Sequence, residues 1–231
     1  MSRFTTLALL ALAAASSGCG GMDPTGGLPP GDAQLAVLNA LPPGTIAELR
    51  LDDAPVTLPD LGARISRVIP AGSHRLEART QTGTVVASAH FSVGDGGRRT
   101  AILGGAAGSN AVTLVVGADT ASAPVGDAIK VRLVHTVQGT PALEGWLYPA
   151  EAAPDSSARL VSPFGYGVGL SGEFPGYAVR APGAYRIRIT DLATGQVQVE
   201  SLQWFAAGQV WSVVLTRRTD GELELLAIRE L

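Results

Sequence analysis

The chain is poorest in cysteine and lysine. Cys19 is the only cysteine among 231 residues, so an internal disulfide is excluded and hydrophobic cores must hold the fold. Lys130 is the only lysine among 17 basic residues, and the formal net charge is −3. No stripe of basic residues is visible. The charge pattern therefore argues against a nucleic acid partner.

Several catalytic and cofactor motifs are also missing. The three histidines share no short spacing that would suit zinc, and no cofactor is predicted. The segment 169–173 (GLSGE) lacks the second glycine of a nucleophile elbow. After residue 31 no run shows the spacing of an amphipathic helix. No later segment reaches the roughly 18 apolar residues that a membrane-spanning helix requires.

The N-terminus carries the clearest signal. Residues 1–18 contain one positive charge, Arg3, followed by the apolar run LALLALAAA and the small residues SSG, which is typical of a secretory signal peptide. The segment SSGC resembles the bacterial lipobox. We therefore predict that residues 1–18 are removed and that Cys19 becomes a lipidated N-terminus. An ordinary signal peptide that leaves a free thiol is the alternative.

The segment that follows the cysteine predicts where the protein would reside. Residues 19–32 are rich in glycine and proline, which indicates a flexible tether. Gly20 stands where an aspartate would retain a lipoprotein in the inner membrane of a Gram-negative cell. We expect an exported protein that is lipid-anchored to the cell envelope, in the outer membrane if the cell has one.

The rest of the chain is predicted to be all-β. In the stretch 73–80 the residues His74, Leu76 and Ala78 alternate with polar ones, as in a strand with one buried face. The pattern repeats, because 68–78 (VIPAGSHRLEA) aligns with 179–189 (VRAPGAYRIRI). We predict two tandem β-sandwich modules of about seven strands each. Their ranges are 33–118 and 128–231, with a linker at 119–127 and an insertion at 149–176.

A family resemblance follows from the second module. The segments 131–135 (VRLVH), 146–148 (WLY), 163–165 (PFG) and 176–189 (GYAVRAPGAYRIRI) resemble the bacterial exported "domain of unknown function 4397" family. The resemblance implies tandem immunoglobulin-like modules. The family has no established activity, so the resemblance implies fold and location only. The first module resembles it mainly around Pro70–Ala78, and Asn39 stands in the place of His135.

The histidines receive structural interpretations. His74 aligns with Tyr185 on an inward-facing position, so we interpret it as a buried substitute for an aromatic residue. His135 ends the first strand of its module and is expected to cap a turn through a hydrogen bond. His90 is expected to be solvated.

The aromatic residues are distributed unevenly. Of eleven that follow Cys19, ten lie in the second module. Tyr185 and either Trp204 or Trp211 are expected in the core. Phe164, Tyr166, Phe174 and Tyr177 bracket a glycine-rich loop in the insertion. The first and last of these four are expected to pack, whereas Tyr166 and Phe174 are predicted as ligand contacts.

These observations predict a non-enzymatic envelope lipoprotein with a structural, adhesion or ligand-binding role. Its partners would be the membrane, through the lipid, and another envelope protein or a glycan. Two alternatives stay open. One is a carbohydrate-binding module that uses loop aromatics, with Tyr166 and Trp146 coplanar and exposed. The other is a hydrolase in which His74 or His135 meets an acid and a serine.

Overall fold

The computed structural model describes residues 28–105, 112–167 and 173–231. The predicted signal peptide, Cys19 and the tether up to residue 27 lie outside these residues, as does the middle of the inserted segment. Among the residues that are described, no helix is long and apolar enough to cross a membrane.

Within the described residues each module contains eight strands. In the first module they are β1 (Asp32–Asn39), β2 (Glu48–Leu51), β3 (Ala54–Val56), β4 (Arg64–Pro70), β5 (Gly72–Arg79), β6 (Val85–Val93), β7 (Arg98–Gly105) and β8 (Val112–Ala118). In the second they are β9 (Ile129–His135), β10 (Leu143–Pro149), β11 (Arg159–Phe164), β12 (Ala178–Arg180), β13 (Gly183–Asp191), β14 (Val197–Phe205), β15 (Val210–Arg217) and β16 (Leu223–Arg229). A 3-10 helix, Ser156–Ala158, precedes β11.

The two modules share one topology. In the first, the sheet β4-β1-β7-β8 lies on the sheet β3-β2-β5-β6, and in the second, β12-β9-β15-β16 lies on β11-β10-β13-β14. The central pairs β1–β7 and β9–β15 are parallel, and the other strand pairs are antiparallel. The predicted all-β chain with two tandem β-sandwich modules is confirmed. An immunoglobulin constant-type module has seven strands, whereas each module here has four strands in each sheet.

The strands that the sequence did not predict are β3 and β11, one in each module. Both contain a proline, Pro55 in β3 and Pro163 in β11, and proline is normally confined to the edges of sheets. Both are indeed edge strands, and they occupy equivalent places beside β2 and β10. Part of the insertion therefore lengthens an edge strand that the first module also has.

Each sandwich encloses its own hydrophobic core. Leu35, Leu49 and Leu76 belong to the first core, and all three are fully buried. Leu133 and Ile187 belong to the second. Burying one such side chain stabilises a fold by about 1.5–3 kcal/mol. These two cores were expected, because nothing else in the sequence could hold the modules together.

A third apolar cluster joins the two modules, and the sequence analysis did not predict it. Its nine buried residues come from both sandwiches. Leu38 and Ile102 represent the first module in this cluster, and Val134 and Val214 the second. The sheet β4-β1-β7-β8 of the first sandwich thus packs against the sheet β12-β9-β15-β16 of the second. These two are called the inner sheets below. The linker at 119–127 connects modules that are already in contact.

Threonine side chains link the inner sheets at one end of this interface. The Gly105 amide donates to Thr136 Oγ1 at 3.2 Å, and Thr136 Oγ1 donates to the Leu215 carbonyl at 2.8 Å. Thr216 Oγ1 lies 3.0 Å from the Ala40 carbonyl oxygen. A Cβ atom at Gly104 would lie only 2.1 Å from Thr136 Oγ1, so the close approach requires glycine there.

Candidate ligand-binding site

The structure corrects the prediction for Phe174. Only 7% of this residue is exposed, because it packs into the cluster between the modules. Its ring also lies against the Arg132 guanidinium, 4.6 Å from ring centroid to Cζ. Phe174 therefore serves packing and is not available to a ligand. The glycine-rich sequence around it gave no indication that the chain returns to the sheets at this point.

The Tyr177 ring packs against the same guanidinium, with 4.7 Å from its centroid to Arg132 Cζ. Arg132 is fully buried, and its charge is paired with Glu230 at 3.0 Å. Its Nε donates to Ser212 Oγ at 2.7 Å, and the Tyr177 hydroxyl donates to Glu230 at 2.8 Å. Burial raises the pKa of Tyr177 well above its ordinary value, so the hydroxyl stays protonated and can donate. The C-terminal part of the insertion is thus structural.

Tyr166 has a different environment from Phe174. It is 44% exposed, and its hydroxyl accepts a hydrogen bond from Gln138 Nε2 at 3.0 Å. Its ring lies nearly perpendicular to that of His135, with 6.2 Å between the centroids. These contacts hold the ring at the wall of an open cleft of about 580 Å³. The cleft is lined further by Val137, Gly139, Thr140, Pro141, Ala142, Pro163, Phe164 and Gly165.

His135 forms the floor of this cleft and has both ring nitrogens occupied. The Val137 amide donates to Nδ1 at 3.1 Å, so Nδ1 carries no proton. Nε2 then carries the proton and donates to Thr140 Oγ1 at 2.8 Å. Burial lowers the pKa of His135 from 6.5 to about 4. The predicted turn-capping role is confirmed, and neither nitrogen is left to act as a base at neutral pH.

His74 is also committed to structural hydrogen bonds. It is 8% exposed, with Nδ1 at 2.6 Å from Asp52 Oδ2 and Nε2 at 2.8 Å from the Pro70 carbonyl. Ser73 is adjacent in sequence, but its hydroxyl bonds to Ser92 at 3.0 Å. Burial acts to raise the pKa of Asp52, yet the hydrogen bonds from His74 and from the Arg75 amide outweigh it and hold that pKa below its ordinary value.

His74 therefore has an acid but no serine. A Ser-His-Asp arrangement needs the second ring nitrogen on the nucleophile, and here it faces a backbone oxygen. The interpretation of His74 as a buried aromatic substitute is confirmed, because Tyr185 donates to the Ala181 carbonyl in the equivalent way, at 2.9 Å. His90 is exposed, as predicted.

Trp146 does not share a platform with Tyr166. Its Nε1 donates to Thr190 Oγ1 at 3.1 Å, and the Arg159 guanidinium covers its ring at 4.9 Å. Trp211 packs against the second core. Trp204 is instead 70% exposed, on the outer side of β14. The two tryptophans could not be told apart from sequence, because β14 and β15 both show strand alternation.

The described residues contain no group of three or more His, Cys, Asp or Glu side chains placed to hold a metal ion. The described residues that line the Tyr166 cleft offer hydroxyl, amide and apolar groups, and none of them carries a charge. Such a surface suits a neutral or amphipathic ligand rather than an ion.

A family model described as "Domain of unknown function (DUF4397)" matches residues 33–145. The match supports the resemblance to this family, but it lies mainly on the first module, whereas the resemblance was drawn from segments of the second. The matched segment contains the whole first module, the linker, β9 and the start of β10. No curated protein matches the chain in sequence.

Among the solved structures that are similar to this chain is a product complex of the multi-modular glycogen-degrading pneumococcal virulence factor SpuA, which matches over 78% of this chain. The identity is 10% and the TM-score is 0.27, and this chain spans 20% of that protein's length. The likeness is too weak to support an argument about function.

The Tyr166 cleft straddles the end of the DUF4397 match. His135, Gln138 and Thr140 lie inside the matched segment, whereas Phe164 and Tyr166 lie beyond it. In the first module the place of His135 is taken by Asn39, whose Oδ1 accepts the Leu41 amide at 3.0 Å. The turn is thus common to both modules, and the aromatic wall is added by the second.

Proposed function

We propose that this chain is a non-enzymatic, ligand-binding lipoprotein of the cell envelope, and that the Tyr166 cleft is its binding site. The observation that carries the proposal is an exposed aromatic ring, held at the wall of a cleft by its contacts with Gln138 and His135. A ring that is ordered before binding loses little entropy when a ligand stacks on it. The cleft volume of about 580 Å³ is also typical of a small-molecule site.

We propose a non-enzymatic role because of how the histidines are bonded. Each of His74 and His135 has both ring nitrogens in hydrogen bonds with groups that cannot act as substrate. A general base needs a free nitrogen within hydrogen-bond reach of the proton it removes.

The binding test uses Tyr166→Ala, with Phe174→Ala as the structural control. We expect Tyr166→Ala to weaken capture of envelope components, by about 2 kcal/mol or more for a contact residue, with little change in melting temperature. Phe174→Ala should lower the melting temperature through lost packing. Unchanged capture by Tyr166→Ala, measured by pull-down beside thermal unfolding, would remove the cleft from consideration.

A glycan is the second candidate ligand. Tyr166 offers a ring face beside Gln138 and Thr140, and sugars present both apolar C–H faces and hydroxyls. Affinity electrophoresis in gels that contain envelope polysaccharide would retard the wild type and not Tyr166→Ala. Trp146→Ala is a suitable control, because Arg159 covers that ring outside the cleft. Equal retardation of all three proteins would eliminate a glycan site at Tyr166.

The envelope location is proposed from the sequence of residues 1–32. A lipid chain on Cys19 would contribute about 0.8 kcal/mol per buried methylene to membrane binding. Intact mass of protein extracted from membranes should correspond to residues 19–231 plus acyl groups. Cys19→Ala should move the protein out of the membrane fraction. A mature form that begins at another residue would contradict the proposal.

A further inference from the structure

The free edges of the four sheets differ in how well they are protected. A sheet edge exposes unpaired backbone groups, and proteins usually block it with charge, proline, short length or covering segments. In the described part of the chain, β3 and β12 have only three residues each, and β8 pairs at Ala118 with Glu173. The edge strands β4, β11 and β16 all contain arginine. The remaining two, β6 and β14, are nine residues long and contain no lysine, arginine or proline.

Of these two, β14 is the more open. On β6 the side chain of Arg99 covers part of the edge, because its Nε donates to the Ser92 carbonyl at 2.9 Å. No described backbone group of 197–205 bonds to anything except β13. The outer side of β14 also exposes large apolar side chains, with Leu202 59% and Trp204 70% exposed.

The single charge on β14 is neutralised within its own sheet. Glu200 receives hydrogen bonds from Arg186 at 2.9 Å, from Arg188, and from the Tyr148 hydroxyl at 3.2 Å. Burial would raise the pKa of Glu200, but these bonds outweigh it and hold the pKa below its ordinary value. The carboxylate that would otherwise repel a second strand is thus compensated.

We propose that β14 pairs antiparallel with β14 of a second copy of this chain, around a two-fold axis at Ser201. The outer sheet β11-β10-β13-β14 would then continue into the same sheet of the copy. Ser201 is the central residue of the nine, and β14 pairs with β13 in regular register from Val199 to Phe205, with a register shift only at its start. An interface of this kind is closed by its symmetry, which limits the assembly to a dimer.

The side chains of β14 suit this register. The axis places Leu202 opposite Glu200 of the copy, on the outer side, and Trp204 opposite Gln198, which lies at the register shift near the start of the strand. Opposed residues in antiparallel strands have Cβ atoms about 4.5–5.5 Å apart, so each apolar group would lie on an aliphatic stem. The carboxylate head of Glu200 would stay with its arginines. A foreign strand would need this pattern by coincidence, whereas a second copy supplies it.

The first test is the mass of the full chain in detergent, measured by sedimentation. We expect a monomer–dimer equilibrium. Leu202→Lys should raise the dissociation constant at least about tenfold, because the symmetry places the charge in the interface twice. The matched control is His90→Lys at the equivalent position of β6, which should leave the dimer unchanged. A wild type that stays monomeric, or equal effects of both lysines, would overturn the proposal.

The second test traps the register. Ser201→Cys should give a linked dimer on oxidation or with a short thiol crosslinker, since two copies of residue 201 face each other across the axis. Ala89→Cys is the equivalent substitution in β6 and should not link. The wild type, which keeps Cys19, reports any link through that residue. Linking of Ala89→Cys as readily as Ser201→Cys would rule out the β14 edge.

Discussion

Two pairs of equivalent residues show how each side chain follows from a backbone requirement. The amide two residues after the end of β1 bonds to Asn39, and the corresponding amide after β9 bonds to His135. Likewise His74 and Tyr185 each donate to the carbonyl four residues earlier. The capping role of His135 was predicted from its place at the end of a strand, and the buried position of His74 from its alignment with Tyr185. The bonds to the carbonyl four residues earlier were not predicted. A histidine in such a position is explained by the turn, without any catalytic role.

The substitution His135→Asn tests this explanation through pH. The folded pKa of about 4 lies below the ordinary 6.5, so unfolding takes up one proton between these values. Stability from this group is complete above about 6.5 and is lost as the pH falls towards 4. His135→Asn should keep the bond to the Val137 amide, as Asn39 does for Leu41, and should remove this part of the pH dependence.

The measurement is the free energy of unfolding by urea at several values between pH 4 and pH 7. Asp52 and Glu200, whose pKa values are lowered, contribute in both proteins and therefore cancel in the comparison. His135→Leu is the control that leaves the Val137 amide unpaired, which costs about 1–3 kcal/mol. If the wild type and His135→Asn lose stability in parallel over this range, His135 is not the titrating group.

A second prediction at the scale of residues concerns the buried ion pair of Arg132 and Glu230. Both side chains have no exposure, so Arg132→Met should leave Glu230 buried without its counter-charge. Breaking a buried pair in this way costs about 3–5 kcal/mol. The double substitution Arg132→Met with Glu230→Leu should recover much of the loss, because no buried charge is then unpaired. Equilibrium unfolding of the three proteins measures this, and an equally unstable double variant would contradict it.

At the scale of strands, the alternation of apolar and polar residues predicted most strands, and two edge strands that contain proline were missed. The buried residues His74, Leu76 and Ala78 of β5 follow the predicted period of two. The edge strands β3 and β11, which contain Pro55 and Pro163, were not predicted. Of the two predicted contact residues, Tyr166 lies in the cleft and Phe174 does not. Tyr166 and Phe174 lie in similar glycine-rich sequence, and only the tertiary packing separates the exposed ring from the buried one.

The approach of β7 to the second module depends on a glycine. A methyl group at Gly104 would lie 2.6 Å from Thr136 Cβ, which no rotation of that side chain relieves. Gly104→Ala should therefore push the inner sheets apart and lower stability, by about 1–3 kcal/mol as in an overpacked core. Gly94→Ala has nothing within 4 Å and is the control. The measurement is thermal unfolding of both variants. Equal melting temperatures would show that the interface accommodates the methyl group at little cost, which would contradict the prediction.

At the scale of the molecule, the contact between modules is what the sequence analysis did not predict. The sequence does carry one sign of this contact, because β1 and β7 are apolar on both faces. In β1, Val37 and Leu38 point in opposite directions and both are buried. A strand covered on one side only would alternate. An apolar sequence shows that both faces of a strand are buried. It does not show which part of the molecule packs on the second face.

This contact predicts that the two modules remain together after the linker is cut. Val125 is 93% exposed, so a protease site inserted beside it should be cleaved readily. The nine residues of the shared cluster stay buried only if the halves stay associated. We expect the cleaved protein to elute from a sizing column at the position of the intact chain and to unfold in one transition.

Ile102→Asp provides the comparison for that experiment. It places a carboxylate in the middle of the shared cluster, where an unpaired charge is costly, while the separate core of each sandwich is untouched. After cleavage, the halves of this variant should separate and each should keep its strand signal in circular dichroism. Wild-type halves that separate equally well in plain buffer would mean that each sandwich is an independent body. Halves that hold together in the wild type and part in Ile102→Asp would show that the inner sheets form one structural unit. In that case the first module is part of the rigid support on which the Tyr166 cleft is built.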